Sequence, residues 1–153
     1  MLVNQMLVAK AEEALPGKPG SGIITVTPDQ TVADAAKLLS EHRIGAVVVS
    51  EDGRTPLGIL SERDIVRELG KRGSDILSQP LADLMTRKLV TCAPGDDALE
   101  VLEIMTRGRF RHLPVIDPDG HMIGLISIGD AVSGRLKELA AEKEALTGMI
   151  MGN

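Results

Sequence analysis

Two stretches of the chain place the same reactive side chains at the same spacing. "GILSERD" runs from Gly58 to Asp64 and "GLISIGD" from Gly124 to Asp130. In each, a serine and an aspartate three residues apart follow an aliphatic run. One chemistry open to Ser61–Asp64 and Ser127–Asp130 is structural: a serine with an acid three residues on forms a capping box at a helix start. The other is recognition of a sugar phosphate. A helix N-terminus offers amide groups and a positive dipole end to an anion. The hydroxyl bonds phosphate, and the carboxylate accepts two ribose hydroxyls, as acids do in dinucleotide folds. Arg63 adds charge beside the first copy; Gly129 in the second allows close backbone approach.

A second candidate group is "RGRFRH" at 107–112, with four cationic or potentially cationic residues in six. Such a cluster suits a solvated turn after a helix, where arginine complements the C-terminal dipole. Yet Arg111 and His112 immediately precede "LPVID", the start of a buried strand, and from that edge they would enter a cleft. The planar guanidinium fork suits phosphate. Gly45 and Ala46 stand at the matching place in the first half. The sequence therefore predicts two unequal clefts, the charged one belonging to Asp130 and the bare one to Asp64. His42 and His121 read as surface residues.

The elements that hold these residues repeat. Laid on itself at an offset of 66 residues, the chain matches Thr25 with Thr91, Pro28 with Pro94, Arg43 with Arg109 and Val49 with Val115. Gly58, Ser61, Asp64 and Val66 match Gly124, Ser127, Asp130 and Val132. The register holds from Ile23 to Val66, slipping by one only at the turns Asp52-Gly53 and Asp119-Gly120. Each copy reads as a short strand ended by proline, then a helix with apolar residues near helical spacing. Two strands around an Asp-Gly turn follow, and a helix opens at the Ser-x-x-Asp. The expected fold is α+β: two β-α-β-β-α repeats packed about an approximate twofold axis. One such unit exposes too much apolar surface to stand alone. Clefts between packed units are where ligands sit.

The divisions follow: a helix of about Leu2 to Ala14 and a loop in 1–22, the first repeat in 23–70, a linker in 71–80, the second repeat in 81–136, and a helical extension in 137–153. A short helix from Leu81 to Met85 leads into the second repeat. In the last helix Val132, Leu136, Leu139, Leu146 and Ile150 follow a heptad-like spacing, with Lys143 in the missing place. That seam serves either a dimer contact or packing of the helix on its own domain.

Composition narrows the function. The net charge is −5, and Phe110 is the one aromatic residue. Both argue against nucleic acid as a partner. No run reaches the length of a membrane span, and the N-terminus lacks the form of a signal peptide. Cys92, the single cysteine, reads as a buried inert thiol, and the expected location is cytoplasmic. No nucleophile–base set, metal cluster or phosphate-binding glycine fingerprint is present, so the chain does not read as an enzyme.

The duplicated unit, with "GILSERD", "GLISIGD" and "RHLPVID", resembles the CBS domain, named for cystathionine β-synthase. Two in tandem are similar to a Bateman module, here of the stand-alone bacterial type. The resemblance implies a regulatory module for adenine nucleotides: AMP or NAD first, with ATP, ADP or S-adenosylmethionine as further ligands. It implies that Asp64 and Asp130 bind ribose hydroxyls and that Ser61 and Ser127 meet phosphate or ribose. Gly45-Ala46 and Arg111-His112 would line the phosphate end, and Ile24 and Val90 would hold the base. It further implies a homodimer and a separate regulated protein. The contrasting reading is an interaction module that binds little or no nucleotide.

Overall fold

The computed structural model describes residues 1–12 and 23–150, so the expected loop at 17–22 lies outside the described residues. Helix α1 spans Val3–Glu12, and strand β1 is the two-residue Thr25–Val26. Helix α2 (Val32–His42) starts at Thr31, whose hydroxyl accepts the Asp34 amide while the Asp34 carboxylate accepts the Thr31 amide. Its apolar face buries Val32, Ala35 and Leu39. Strand β2 (Ala46–Val49) is buried at every position, and β3 (Gly58–Ser61) pairs antiparallel to it. The turn between them holds Gly53 at φ 75°, the left-handed region that costs glycine little. Helix α3 is Glu62–Arg72; a 3-10 turn (Ser74–Ser78) and the short α4 (Leu81–Leu84) lead into the second repeat.

There, α5 (Ala98–Gly108), β4 (His112–Ile116), β5 (Met122–Ser127) and α6 (Ile128–Ile150) follow the same plan. One expected element shrinks. The run "KLVTCAP" forms a single parallel bridge, Cys92 to Val115, where the first repeat has two pairs, Thr25–Val48 and Val26–Val49. The residue matching Val48 is Pro114, which has no amide to extend the ladder. The first repeat thus has a three-stranded sheet and the second a two-stranded one.

Each repeat has its own core, and each core is completed by a segment that precedes the other repeat. Leu81 and Met85 belong to the first core, Val3, Met6 and Leu7 to the second. The two leading segments dock alike, residue n of one standing for residue n+78 of the other. Val3 donates its amide to Asp96 O as Leu81 does to Gln30 O, and Asn4 to Pro94 O as Ala82 does to Pro28 O. The Ala98 amide reaches Met1 O as the Val32 amide reaches Gln79 O. A Cβ on Gly58 would stand 2.6 Å from Met85 Sδ, and one on Gly124 2.5 Å from Leu7 Cδ2, so both glycines let a leading segment close on a strand.

The segments then diverge. At Met85 the chain turns extended, and Thr86 exchanges backbone hydrogen bonds with Ile59. Helix α1 continues beyond Leu7 through Val8, Ala9, Lys10 and Ala11, a run rich in good helix formers.

The last helix buries Ala131 and Gly134 against α5 and α1, but its seam stays exposed: Leu136 is 61% and Ile150 84% accessible. Of the two roles open to that seam, packing on its own domain is not what the described residues show.

Candidate functional site

Strand β3 ends at Ser61, and α3 begins at once. The Ser61 hydroxyl accepts the Asp64 amide at 3.2 Å; Asp64 Oδ2 accepts the Ser61 amide and hydroxyl, each at 2.9 Å. The Glu62 amide donates to Gly45 O at 2.9 Å. Three amides of this helix end are therefore already engaged, and its dipole acts through few free donors. Asp64 Oδ1 takes a hydrogen bond of 3.0 Å from Arg67, one turn along the same helix.

This corner opens onto a cavity of about 460 Å³. Its near wall is Ile59, Ser61 to Asp64, and Arg67; Thr86 closes one side. The far wall comes from the second repeat: Gly108 to His112. Arg109 is left-handed, φ 57°, as is its repeat partner Arg43 at φ 53°. That is an unusual conformation for a residue other than glycine, and here it turns the chain sharply from α5 into β4. Arg109, Phe110 and Arg111 are thereby delivered to the cavity. A Cβ on Gly108 would land on the Phe110 ring.

The cationic segment thus faces Asp64, which corrects the expectation that it serves Asp130. The reason is the packing axis. The starts of β2 and β4 meet across it: a Cβ on Gly45 would lie 3.2 Å from the His112 ring. Residues at the start of β4 therefore project over the other repeat's helix end. His112 is half-buried, and its pKa is lowered by desolvation first and then by Lys10.

The second corner repeats the reciprocal serine–aspartate cap. Ser127 donates its amide to Asp130 Oδ2 at 2.9 Å, and the Ser127 hydroxyl accepts the Asp130 amide at 3.1 Å. The Ile128 amide donates to Arg111 O, as Glu62 does to Gly45 O. Asp130 differs in its cation: Lys10 of α1 lies 2.9 Å from its Oδ2.

The CBS domain model matches residues 19–71 and 81–136, both repeats and most of the chain. The chain belongs to the CBS-domain family. This CBS pair is 38% identical over 141 residues to the mitochondrial CBS domain-containing protein CBSX3 of Arabidopsis thaliana, covering 89% of this chain and 68% of that one. It superposes on the CBS-domain protein ATU1752 of Agrobacterium tumefaciens with a TM-score of 0.78 at 38% identity, covering 88% of this chain and 99% of that one. It also matches Arabidopsis thaliana CBSX2 in complex with AMP, with a TM-score of 0.68, 26% identity, and 89% and 96% coverage.

Of the residues singled out in the sequence of this CBS pair, Gly45, Ser61, Arg63, Asp64, Arg111 and His112 line one cavity. Ala46 is buried in β2 beside it, and Ser127 and Asp130 form the second corner. Ile24 and Val90 are half-buried against the cores of their own repeats rather than in the cavity wall. Sequence reasoning missed Arg67, Thr86 and Lys10. Arg67 was accessible as the residue one turn after Asp64; Lys10 carried no local signal. Cys92 is buried as expected, its thiol pushed up to about 12 by burial and by Asp96. Among the described residues no helix is long and apolar enough to cross a membrane, and no cluster of potential metal ligands is found.

Proposed function

We propose that this CBS pair is a regulatory sensor of phosphate-bearing adenosine ligands, AMP or NAD before ATP or ADP, acting on a separate protein by binding rather than catalysis. The observation that carries this is the cavity in which Ser61 and Asp64 stand opposite Arg109, Arg111 and His112. A ribose diol suits the carboxylate, and the guanidinium groups suit phosphate. S-adenosylmethionine, with its cationic sulfonium, suits that wall less well. The AMP complex of the CBSX2 relative supports an adenosyl ligand.

Binding gives a signal only if it favours one arrangement over another. Here a diol on Asp64 takes the place of Arg67 on Oδ1, and Arg67, 52% exposed, keeps its second acid, Glu68. The single unpaired cysteine fits a reducing compartment such as the cytoplasm.

A second reading, a dimeric interaction module, is favoured by the exposed seam of α6 and by Val66 on α3, which is 68% accessible. Exposed apolar side chains of this kind suit a second copy or the regulated partner. The two readings separate in calorimetry of nucleotide-stripped protein with AMP, ATP, NAD and S-adenosylmethionine. Heat with AMP or NAD supports the sensor; no heat with any of the four refutes it. The chain has no Trp or Tyr, so nucleotide retained through purification dominates its absorbance at about 260 nm.

A further inference from the structure

We propose that Lys10 is an internal competitor at the second Ser-x-x-Asp, so that an adenosyl ligand fills the Asp64 cleft first and the Asp130 corner only when the lysine lets go. The proposal rests on the reading of the chain as an adenosyl-ligand sensor. Lys10 Nζ donates to Asp130 Oδ2 at 2.9 Å and to Leu125 O at 3.0 Å. Both acceptors belong to the second repeat, while the lysine precedes the first.

The repeat partner of Leu125 is Ile59, and its carbonyl is satisfied differently, by the Thr86 amide at 2.9 Å. In the first corner, then, the leading segment uses backbone only and leaves Asp64 alone. In the second, the longer helix brings a side chain that takes the carbonyl and the carboxylate together.

The two carboxylates also differ in what must move before a diol binds through both oxygens. Oδ2 of Asp64 accepts the Ser61 amide and a hydroxyl that turns freely; Oδ1 accepts an arginine on the same helix. Oδ2 of Asp130 accepts the Ser127 amide and the Lys10 ammonium, which fills its two lone pairs. Lys10 is only 32% exposed, and its helix is pinned by Leu7 over Gly124 and by Met6 over Gly134. Releasing Asp130 therefore requires the lysine to abandon a charge-assisted bond while α1 stays docked, or α1 to loosen.

Calorimetry with AMP tests this on wild type, Lys10→Met and Lys10→Arg, with Lys10→Gln in place of Met if that variant fails to fold. Wild type is expected to bind one AMP per chain, with any second binding at least tenfold weaker. Lys10→Met is expected to tighten the second event by ~10-fold or more, the scale of one charge-assisted hydrogen bond, and so to approach two AMP per chain. Lys10→Arg keeps the wild-type isotherm. Adding Asp130→Ala to Lys10→Met removes the gained event and leaves the first. An unchanged isotherm in Lys10→Met, two equal sites in wild type, or weaker binding in Lys10→Met overturns the competitor alone. Absence of binding of AMP, NAD, ATP and S-adenosylmethionine in every variant overturns the sensor reading and the competitor with it.

Discussion

The corners at Ser61–Asp64 and Ser127–Asp130 share a serine, an aspartate three residues on, a reciprocal cap and a strand leading in, yet they face different neighbours. The first opens onto a cavity walled by arginines from the other repeat. The second holds the N-terminal helix through Lys10. Neither difference arises within the motif. The arginines reach Asp64 because the packing axis crosses at Gly45 and His112. The lysine reaches Asp130 because α1 stays helical where its counterpart turns extended at Met85. A Ser-x-x-Asp fixes a helix start; what that start binds is set by segments far away in sequence.

The largest effect that would sharpen this contrast is on binding. Asp64→Ala should weaken AMP by ~100-fold, as loss of a charged hydrogen-bonding partner at about 1.5–3 kcal/mol implies. Asp130→Ala should stay within a few-fold of wild type. Calorimetry showing equal or reversed losses breaks the comparison. Arg111→Ala should weaken AMP by ~10-fold or more through the same kind of bond while leaving adenosine nearly unchanged. A uniform loss with both ligands would mean that Arg111 only shapes the pocket.

Stability gives the next test. A Cβ at Gly58 meets Met85 Sδ and, at 3.0 Å, the backbone oxygen of Thr86, whereas one at Gly124 meets only the Leu7 side chain. Gly58→Ala should therefore cost more, about 1–3 kcal/mol in denaturant unfolding. Gly124→Ala should cost less and chiefly loosen α1, seen as faster amide exchange over residues 3–10.

The smallest effect concerns His112. Its folded pKa lies below its ordinary 6.5 because burial disfavours the cation, with Lys10 and Arg111 acting the same way against Asp130 and Glu62. The unfolded chain thus binds the proton more readily, and stability falls as pH drops through about 6.5 toward the folded value. Below that value the loss levels off. Melting curves between about pH 5 and 8 should show this loss reduced in His112→Asn; identical slopes would remove His112 from the account.

Much of the scaffold was legible because its causes are local. The Asp-Gly turns, the apolar faces of α2 and α5 and the two capping boxes all follow from residues within a few positions of one another. The weak first strand of the second repeat was legible too, had Pro114 been set against Val48 in the 66-residue register. The pairing of Arg111 and His112 with Asp64 was not, because both halves offer a matching corner and only the packing axis chooses between them. Lys10 lies 120 positions from its carboxylate, on a helix whose docking onto the second repeat nothing nearby in sequence specifies.

The shared docking of the leading segments bears on how differently the two halves reach one another. Leu7 and Met85 are matching clamps, yet eighteen positions separate Leu7 from Thr25 and only six separate Met85 from Thr91. The halves therefore differ by a dozen residues between clamp and opening strand. The longer of the two spans carries the part of α1 that bears Lys10, so one corner meets a side chain that its twin lacks although both present serine and aspartate at the same spacing.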